Sequence, residues 1–266
     1  MKITAIIHKS IYVVALLVVT TTSLIAQTGL EIMTKNDQQI FANDEKYEIT
    51  MTLINKKGKS RVRELKQVSQ KDEAKNRSTL LTFLSPADVK GTGFLSIEHT
   101  AAEDDQWLFL PALKRSRRIS ASDKTDNFMG SDFTYEDLDT EDLENFNYKL
   151  NGEEVLNDIK HYIIEATPKN VKKEKESGYG KRIIYVRYDN HIISKIKFFD
   201  KKGTFFKEMT ASNIRKIDNS EKWRAFKREV HNVKTGHKTI LDFKNIVIDT
   251  GVEEDQFTKR NLERSL

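Results

Sequence analysis

The sequence predicts a mainly β protein: an antiparallel, up-and-down sheet curled into a barrel, with a helix lying across it. Three observations lead there. Period-two alternation of apolar and polar residues recurs in about a dozen short runs. The runs are separated by turn-rich stretches such as "NKKGKS", "SPADVKGTG", "KESGYG", "DKKG" and "KTGH", which favour hairpins between successive strands. Several runs are apolar on both faces, notably Ile183, Ile184, Tyr185, Val186 and Tyr188. A flat open sheet would leave one of those faces wet, so the sheet is expected to curl.

Taken in order, the chain opens with "MKITAIIHKSIYVVALLVVTTTSLIAQTG", which has Lys2 and Lys9, no acid, an apolar run from Ile11 to Val19, and small or polar residues leading to Ala26. This is the layout of a secretory signal peptide over residues 1–26, its apolar segment too short to span a bilayer comfortably. Cleavage near Ser23 and an uncleaved anchor are the alternatives. Next, Leu30, Met33, Ile40 and Phe41 fall at roughly helical spacing with Thr28 as a cap, predicting one short helix, with a break near Asn36 as a variant. From Glu45 the period becomes two, with Tyr47, Ile49, Met51 and Leu53 on one face. The alternation continues through "RVRELKQVS", "STLLTFLS", "FLSIEH", "QWLFLPA", "NYKLNG", "KHYIIEATP", "KRIIYVRYD", "HIISKIKFFD", "TFFKEMTASNIRKI", "KWRAFKREVHNV" and "KTILDFKNIVI". No linker is long enough to divide residues 27–266, which are expected to form a single domain.

Composition narrows the function classes. With 266 residues, 38% hydrophobic, 32% charged and three prolines, the chain reads as a well-solvated globular protein able to bury a sizeable core. Loss of residues 1–26 would lower the formal charge from +5 to +3, so the basic pI carries little weight for nucleic acid, and export makes such a partner unexpected. The chain has no cysteine, which excludes disulfides, thiolate metal sites, a cysteine nucleophile and lipidation of its own N-terminal cysteine.

Catalytic motifs are missing. His99, His161, His191, His231 and His237 form no HExxH or HxH pair, and no GxSxG elbow accompanies them. "GTG" at Gly91 to Gly93 lacks the third glycine of a phosphate loop. Asp123, Asp126, Asp132, Glu136 and Asp137 crowd one stretch, but D-x-x-D-N-x-x-G-x-D misses the EF-hand order, favouring a solvated acidic loop over calcium. No catalytic residue, metal or cofactor is therefore expected.

"DDQWLFLPALKRSRRIS", followed by "DKTDNFMGSDFTYEDL" and preceded by "SPADVKGTGFL", resembles the outer-membrane lipoprotein-sorting proteins, relatives of the periplasmic lipoprotein carrier LolA. The resemblance implies a half-open antiparallel barrel with a helical lid over a hydrophobic cavity that accepts acyl chains of a lipoprotein or another lipid. It also implies a non-enzymatic periplasmic carrier that touches membranes transiently, with an inner-membrane transporter of the resistance-nodulation-division type as partner. A sensor or adaptor that recognises lipoproteins and signals to a membrane partner is the alternative. A carrier must cover most of an acyl chain, because each exposed methylene costs about 0.8 kcal/mol.

Candidate wall residues are Met51, Leu53, Leu81, Phe83, Phe94, Trp107 and Phe109. Phe128, Met129, Phe133 and Tyr135 are candidates for a movable flap. For each, ordinary core packing is the competing expectation. The basic cluster Lys114, Arg115, Arg117 and Arg118 has three readings: a solvated strand or loop, pairing with the acids Asp132, Glu136, Asp137, Asp139, Glu141 and Asp142, or contact with anionic head groups or a partner.

Overall fold

The computed structural model describes residues 27–264 apart from 41, 101 and 141. The signal-peptide expectation for residues 1–26, and the parts assigned to Phe41 and Glu141, fall outside the described residues. Helix α1 (Gly29–Ile40) leads into a meander of β1 (Asp44–Ile54), β2 (Ser60–Lys71), β3 (Arg77–Ser85), β4 (Gly93–Ile97), β5 (Asp105–Leu110) and β6 (Arg115–Arg118). Residues 119–145 follow, carrying short 3-10 turns. A second meander runs through β7 (Phe146–Leu156), β8 (Ile159–Pro168), helix α2 (Val171–Glu176), β9 (Lys181–Arg187), β10 (Ile193–Phe199), β11 (Phe205–Lys216), β12 (Trp223–Asn232) and β13 (His237–Ile248), before helix α3 (Lys259–Arg264).

Among the described residues the strands form one 13-stranded antiparallel sheet, ordered β6-β5-β4-β3-β2-β1-β13-β12-β11-β10-β9-β8-β7. The first and last strands pair, with Met51 opposite Leu241, so the two meanders stand back to back. This topology leaves β6 and β7 as the outer edges. The segment joining them must cross from one edge to the other, and it does so inside the curl. A sheet of this width is expected to curl rather than stay flat. The result is a mainly β, half-open barrel with α1 across its concave side.

Local chemistry explains the elements. Thr28 and Glu31 cap α1 reciprocally: the Glu31 N–H donates to Thr28 Oγ1 (3.2 Å) and the Thr28 N–H to Glu31 Oε2 (2.7 Å). The helix does not break at Asn36, because the Asn36 side-chain amide donates to the His191 carbonyl (2.7 Å) rather than competing for its own backbone. Its buried stripe is Gly29, Ile32, Met33 and Asn36, one position away from the expected Leu30, which is exposed. The expected alternation of β1 holds, with Ile49, Met51 and Leu53 buried.

The strand that the turn pattern did not separate is β6, which holds Arg115, Arg117 and Arg118 of the basic cluster around Ser116. A short, cationic edge of this kind discourages pairing with another chain.

Three apolar clusters result. The largest fills the concave face beneath residues 119–145. A second joins α1 to β8 and β9 through Ile32, Met33, Ile164, Ile184 and Val186. The third lies on the opposite face, where Val252, Phe257 and Leu262 cover Leu95 and Phe109. Gly93 permits that contact: a Cβ there would stand 2.5 Å from the Leu262 side chain.

Candidate functional site, a cavity under the helical lid

Cross-strand registers lay an apolar row over the concave face. Ile164 of β8 pairs with Ile184 of β9, Ile184 with Ile196 of β10, Ile196 with Met209 of β11, and Met209 with Val230 of β12. Above this row, α1 and the crossing segment do not fill the space. A cavity of about 270 Å³ remains, with Ile49, Met51, Leu81, Ile184, Ile193, Ile196 and Leu241 on the sheet side. Met33, Asn36 and Ile40 of α1, with Phe128, Phe133 and Leu138, form the other wall. An adjoining chamber of about 220 Å³ shares Phe133 and Ile196 with it, together with the charged residues Asp137, Asp139, Arg182 and Arg228.

The lid is anchored at its ends and middle. A Cβ at Gly29 would stand 2.7 Å from the Tyr148 carbonyl oxygen, so the start of α1 abuts β7. Lys222 Nζ donates to the Gln38 carbonyl (2.7 Å), fixing the other end, and Asn36 holds the centre.

One end of the cavity is ionic. Glu45 is buried and accepts from Arg77 (3.1 Å) and from Arg224, with Ser69 bridging Glu45 and Arg77. Burial, reinforced by the neighbouring Arg228 charge, holds the Arg224 guanidinium down to about 9. Burial also depresses Arg77 and Arg228, raises the Asp37 and Glu98 carboxyls, and pushes the Tyr47 hydroxyl up to about 12. Arg228 packs over the Phe243 ring (5.7 Å separates that ring from Tyr47; 5.6 Å from the Arg228 guanidinium).

The segment expected as a movable flap is a plug seated in the core. Phe128 is fully buried and packs against Phe83, Phe94 and Tyr135 at ring-centroid distances of 5.5–5.9 Å. Its tip is held by Arg63, which donates to the Met129 carbonyl (2.6 Å).

Asp132, Asp137 and Asp139 anchor this segment, whereas Asp126 is exposed as the solvated-loop expectation has it and Asp123 caps a local turn with Ser120. Asp132 accepts from Thr239 Oγ1 (2.8 Å) and meets His237 Nδ1 (2.6 Å). Asp137 accepts from Lys207 Nζ (2.7 Å) and the Tyr179 hydroxyl (2.8 Å), and Asp139 accepts from Lys124 Nζ (2.8 Å). Burial raises the Tyr179 hydroxyl well above its ordinary range, with Asp137 adding to the effect. Among the described residues, no group of three or more His, Cys, Asp or Glu could hold a metal ion.

The other expected site residues are distributed as follows. Met51, Leu81, Phe128 and Phe133 line the cavity. Leu53, Phe83, Phe94 and Tyr135 belong to the packed core beside it, and Leu53 and Met129 also border a separate recess near His237.

Trp107 and Phe109 require a correction. They point to the opposite face, against the C-terminal cluster, and Lys259 Nζ lies 4.5 Å from the Trp107 ring. Their neighbours Leu108 and Leu110 face the concave side. Both faces of β5 are apolar because both are covered, so alternation could not tell them apart.

In the basic cluster, Arg118 pairs with Asp105 (2.8 Å), and of the acids named for it Asp137, Asp139 and Asp132 are taken by Lys207, Lys124 and His237, Glu136 lies 3.9 Å from Lys173, and Asp142 accepts from Glu144 and Asn145. Lys114, Arg115, Arg117 and Arg118 are exposed on or beside the edge strand.

Glu45, Arg77, Arg224 and Arg228 were missed, yet their strand positions signal them. Glu45 has the parity of Ile49 and Met51, Arg77 that of Leu81 and Phe83, and Arg224 and Arg228 that of Val230. A charge on the buried parity of a strand must point inward.

Comparisons with known proteins agree with this geometry. A model for a family of uncharacterized proteins matches residues 75–264. A domain assigned to outer membrane lipoprotein sorting, from Vibrio parahaemolyticus, is 34% identical, with 89% of this chain and 98% of that one covered and a TM-score of 0.82. A DUF1329 family protein from Desulfovibrio piger is 32% identical over 88% of this chain and 97% of its own, also at a TM-score of 0.82. The LolA superfamily protein NE2245 from Nitrosomonas europaea shares the fold at a TM-score of 0.70 and 18% identity, over 88% of this chain and 99% of that one. No curated protein sequence matches.

Proposed function

The chain belongs to the outer-membrane lipoprotein-sorting family with the LolA-like fold, and from that premise we propose that it is a non-catalytic periplasmic carrier. It takes the acyl chain of a lipoprotein or another lipid into the cavity under α1 and passes it toward the outer membrane. The observation that carries this reading is the space itself: above the part of the apolar row on β9 to β12 the described side chains leave two adjoining spaces of about 270 and 220 Å³ unfilled. Protein interiors are ordinarily packed without such voids, so a cavity of this size is kept for an occupant. Ile193 and Ile196 are only half-buried, which leaves part of the wall wet until a tail covers it. Covering methylenes at about 0.8 kcal/mol each supplies the affinity, and the absence of covalent capture permits release.

The proposal extends to export, with residues 1–26 removed, and to an inner-membrane donor of the resistance-nodulation-division type. The central test uses delipidated mature protein, a fluorescent fatty acid and donor and acceptor vesicles. Saturable uptake followed by transfer between vesicles is expected. A folded protein that takes up no apolar probe would end the carrier reading.

A further inference from the structure

Arginines and carboxylates both line the cavity, and among the described residues the carboxylates Glu45, Asp137 and Asp139 are engaged by groups other than Arg228. Arg77 and Arg224 converge on the one carboxylate of Glu45. Arg228 follows Arg224 on β12 and, among the described residues, makes no hydrogen bond or ion pair; it lies over the face of Phe243, with the Tyr47 hydroxyl and the Arg224 guanidinium close enough to act on it electrostatically. Its cross-strand partners are Leu241 on β13 and Ala211 on β11, so the guanidinium rises from an apolar stretch of sheet. It lines both chambers, which places it at their junction, where Arg182 and the carboxylates Asp137 and Asp139, already taken by Lys207 and Lys124, also stand. Two further carboxyls of the lining, Asp37 and Glu98, are raised by their own burial.

Arg228 is half-buried and opens onto both chambers, and a partly desolvated charge without a partner is stabilised when an anion completes it. We propose that the ligand of this cavity is a single-tailed amphiphile with an anionic head group, a carboxylate or a phosphate monoester. The head is held by Arg228 with Arg224 behind it, and the tail lies along Ile184, Ile193 and Ile196. The inference rests on the carrier reading and narrows it, since the acyl tails of a lipoprotein bring no anionic head to that position. A planar guanidinium offers either anion paired N–H donors, which a neutral head cannot exploit as strongly.

The experiment measures binding of four probes of equal tail length to delipidated mature protein: dodecanoate, dodecyl phosphate, dodecanol and dodecylamine, each below its micellar concentration. The wild type is expected to bind at least one of the two anions ten times or more tightly than the alcohol, with the amine weakest. The carboxylate and phosphate arms identify which head is preferred. In Arg228→Met the preferred anion should fall to within about twofold of the alcohol, with alcohol binding unchanged, while Arg228→Lys should keep most of the preference. Equal binding of anions and alcohol by the wild type overturns the head-group assignment and leaves the carrier reading intact. Binding of none of the four overturns both. If Arg228→Met does not fold, the wild-type ranking and Arg228→Lys still decide the matter.

Discussion

Under β3 and β4 the concave face is closed by rings, with Phe128 set between Phe83, Phe94 and Tyr135. Under β9, β10 and β13 the same face carries Ile184, Ile193, Ile196 and Leu241, and among the described residues the side chains above them leave a cavity. Both regions arise from the same alternation and face the same way. They differ in what crosses above them: the plug reaches down into the first, while α1 bridges the second from anchors at its ends and middle. A barrel can thus be stable and still hold a vacancy, provided the packing that stabilises it is concentrated in one part of the curl.

Substitutions should separate the two regions. The largest stability effect is expected on the closed side: Phe128→Ala should cost about 3–5 kcal/mol in urea unfolding, because a fully buried ring leaves a void its neighbours cannot close. A loss under about 1 kcal/mol would show that the plug is not part of the core. Next comes the boundary with the ionic end. Glu45→Gln should cost about 3 kcal/mol by the same measurement, because it leaves Arg77 and Arg224 buried without their shared carboxylate. Adding Arg224→Met should recover part of that loss.

Asp132→Asn weakens the plug's tie to Thr239 and His237 and should cost about 1–2 kcal/mol. On the opposite face, Trp107→Ala should cost about 1 kcal/mol or less and leave lipid uptake unchanged, since that ring packs with the C-terminal cluster and Lys259. The smallest effect on stability should come from the open side: Ile193→Trp fills empty space and should leave the unfolding midpoint nearly unchanged while abolishing uptake of the fluorescent fatty acid. Uptake that survives a filled cavity would locate the ligand elsewhere.

Much of the architecture was legible in the residues. Tyr47 to Leu53 announce a strand by parity, and "DKKG" announces the turn between β10 and β11, where the Gly203 N–H donates to the Asp200 carbonyl (2.9 Å). The site was legible only in part. Met51, Leu81, Phe128 and Phe133 reach the cavity, but Trp107 and Phe109 face away from it, and Leu30 was placed on the wrong stripe of α1.

Local sequence determines side-chain period, and period determines which residues share a face; the recurrence of period two with turn residues between was therefore enough to specify a curled antiparallel sheet. Period does not say which of two apolar faces meets the cavity and which meets a C-terminal helix about 150 residues away in the chain. That was decided by topology, in which the pairing of β1 with β13 sends residues 119–145 across the concave side and leaves the other face of β5 to Leu262. Topology also decided the charges. Glu45 and Arg224 lie far apart in sequence and become a buried pair only when the first strand and the last strands close the sheet. Arg228 is left facing the cavity because, once the sheet has closed, no carboxylate on the neighbouring strands is in position to meet it.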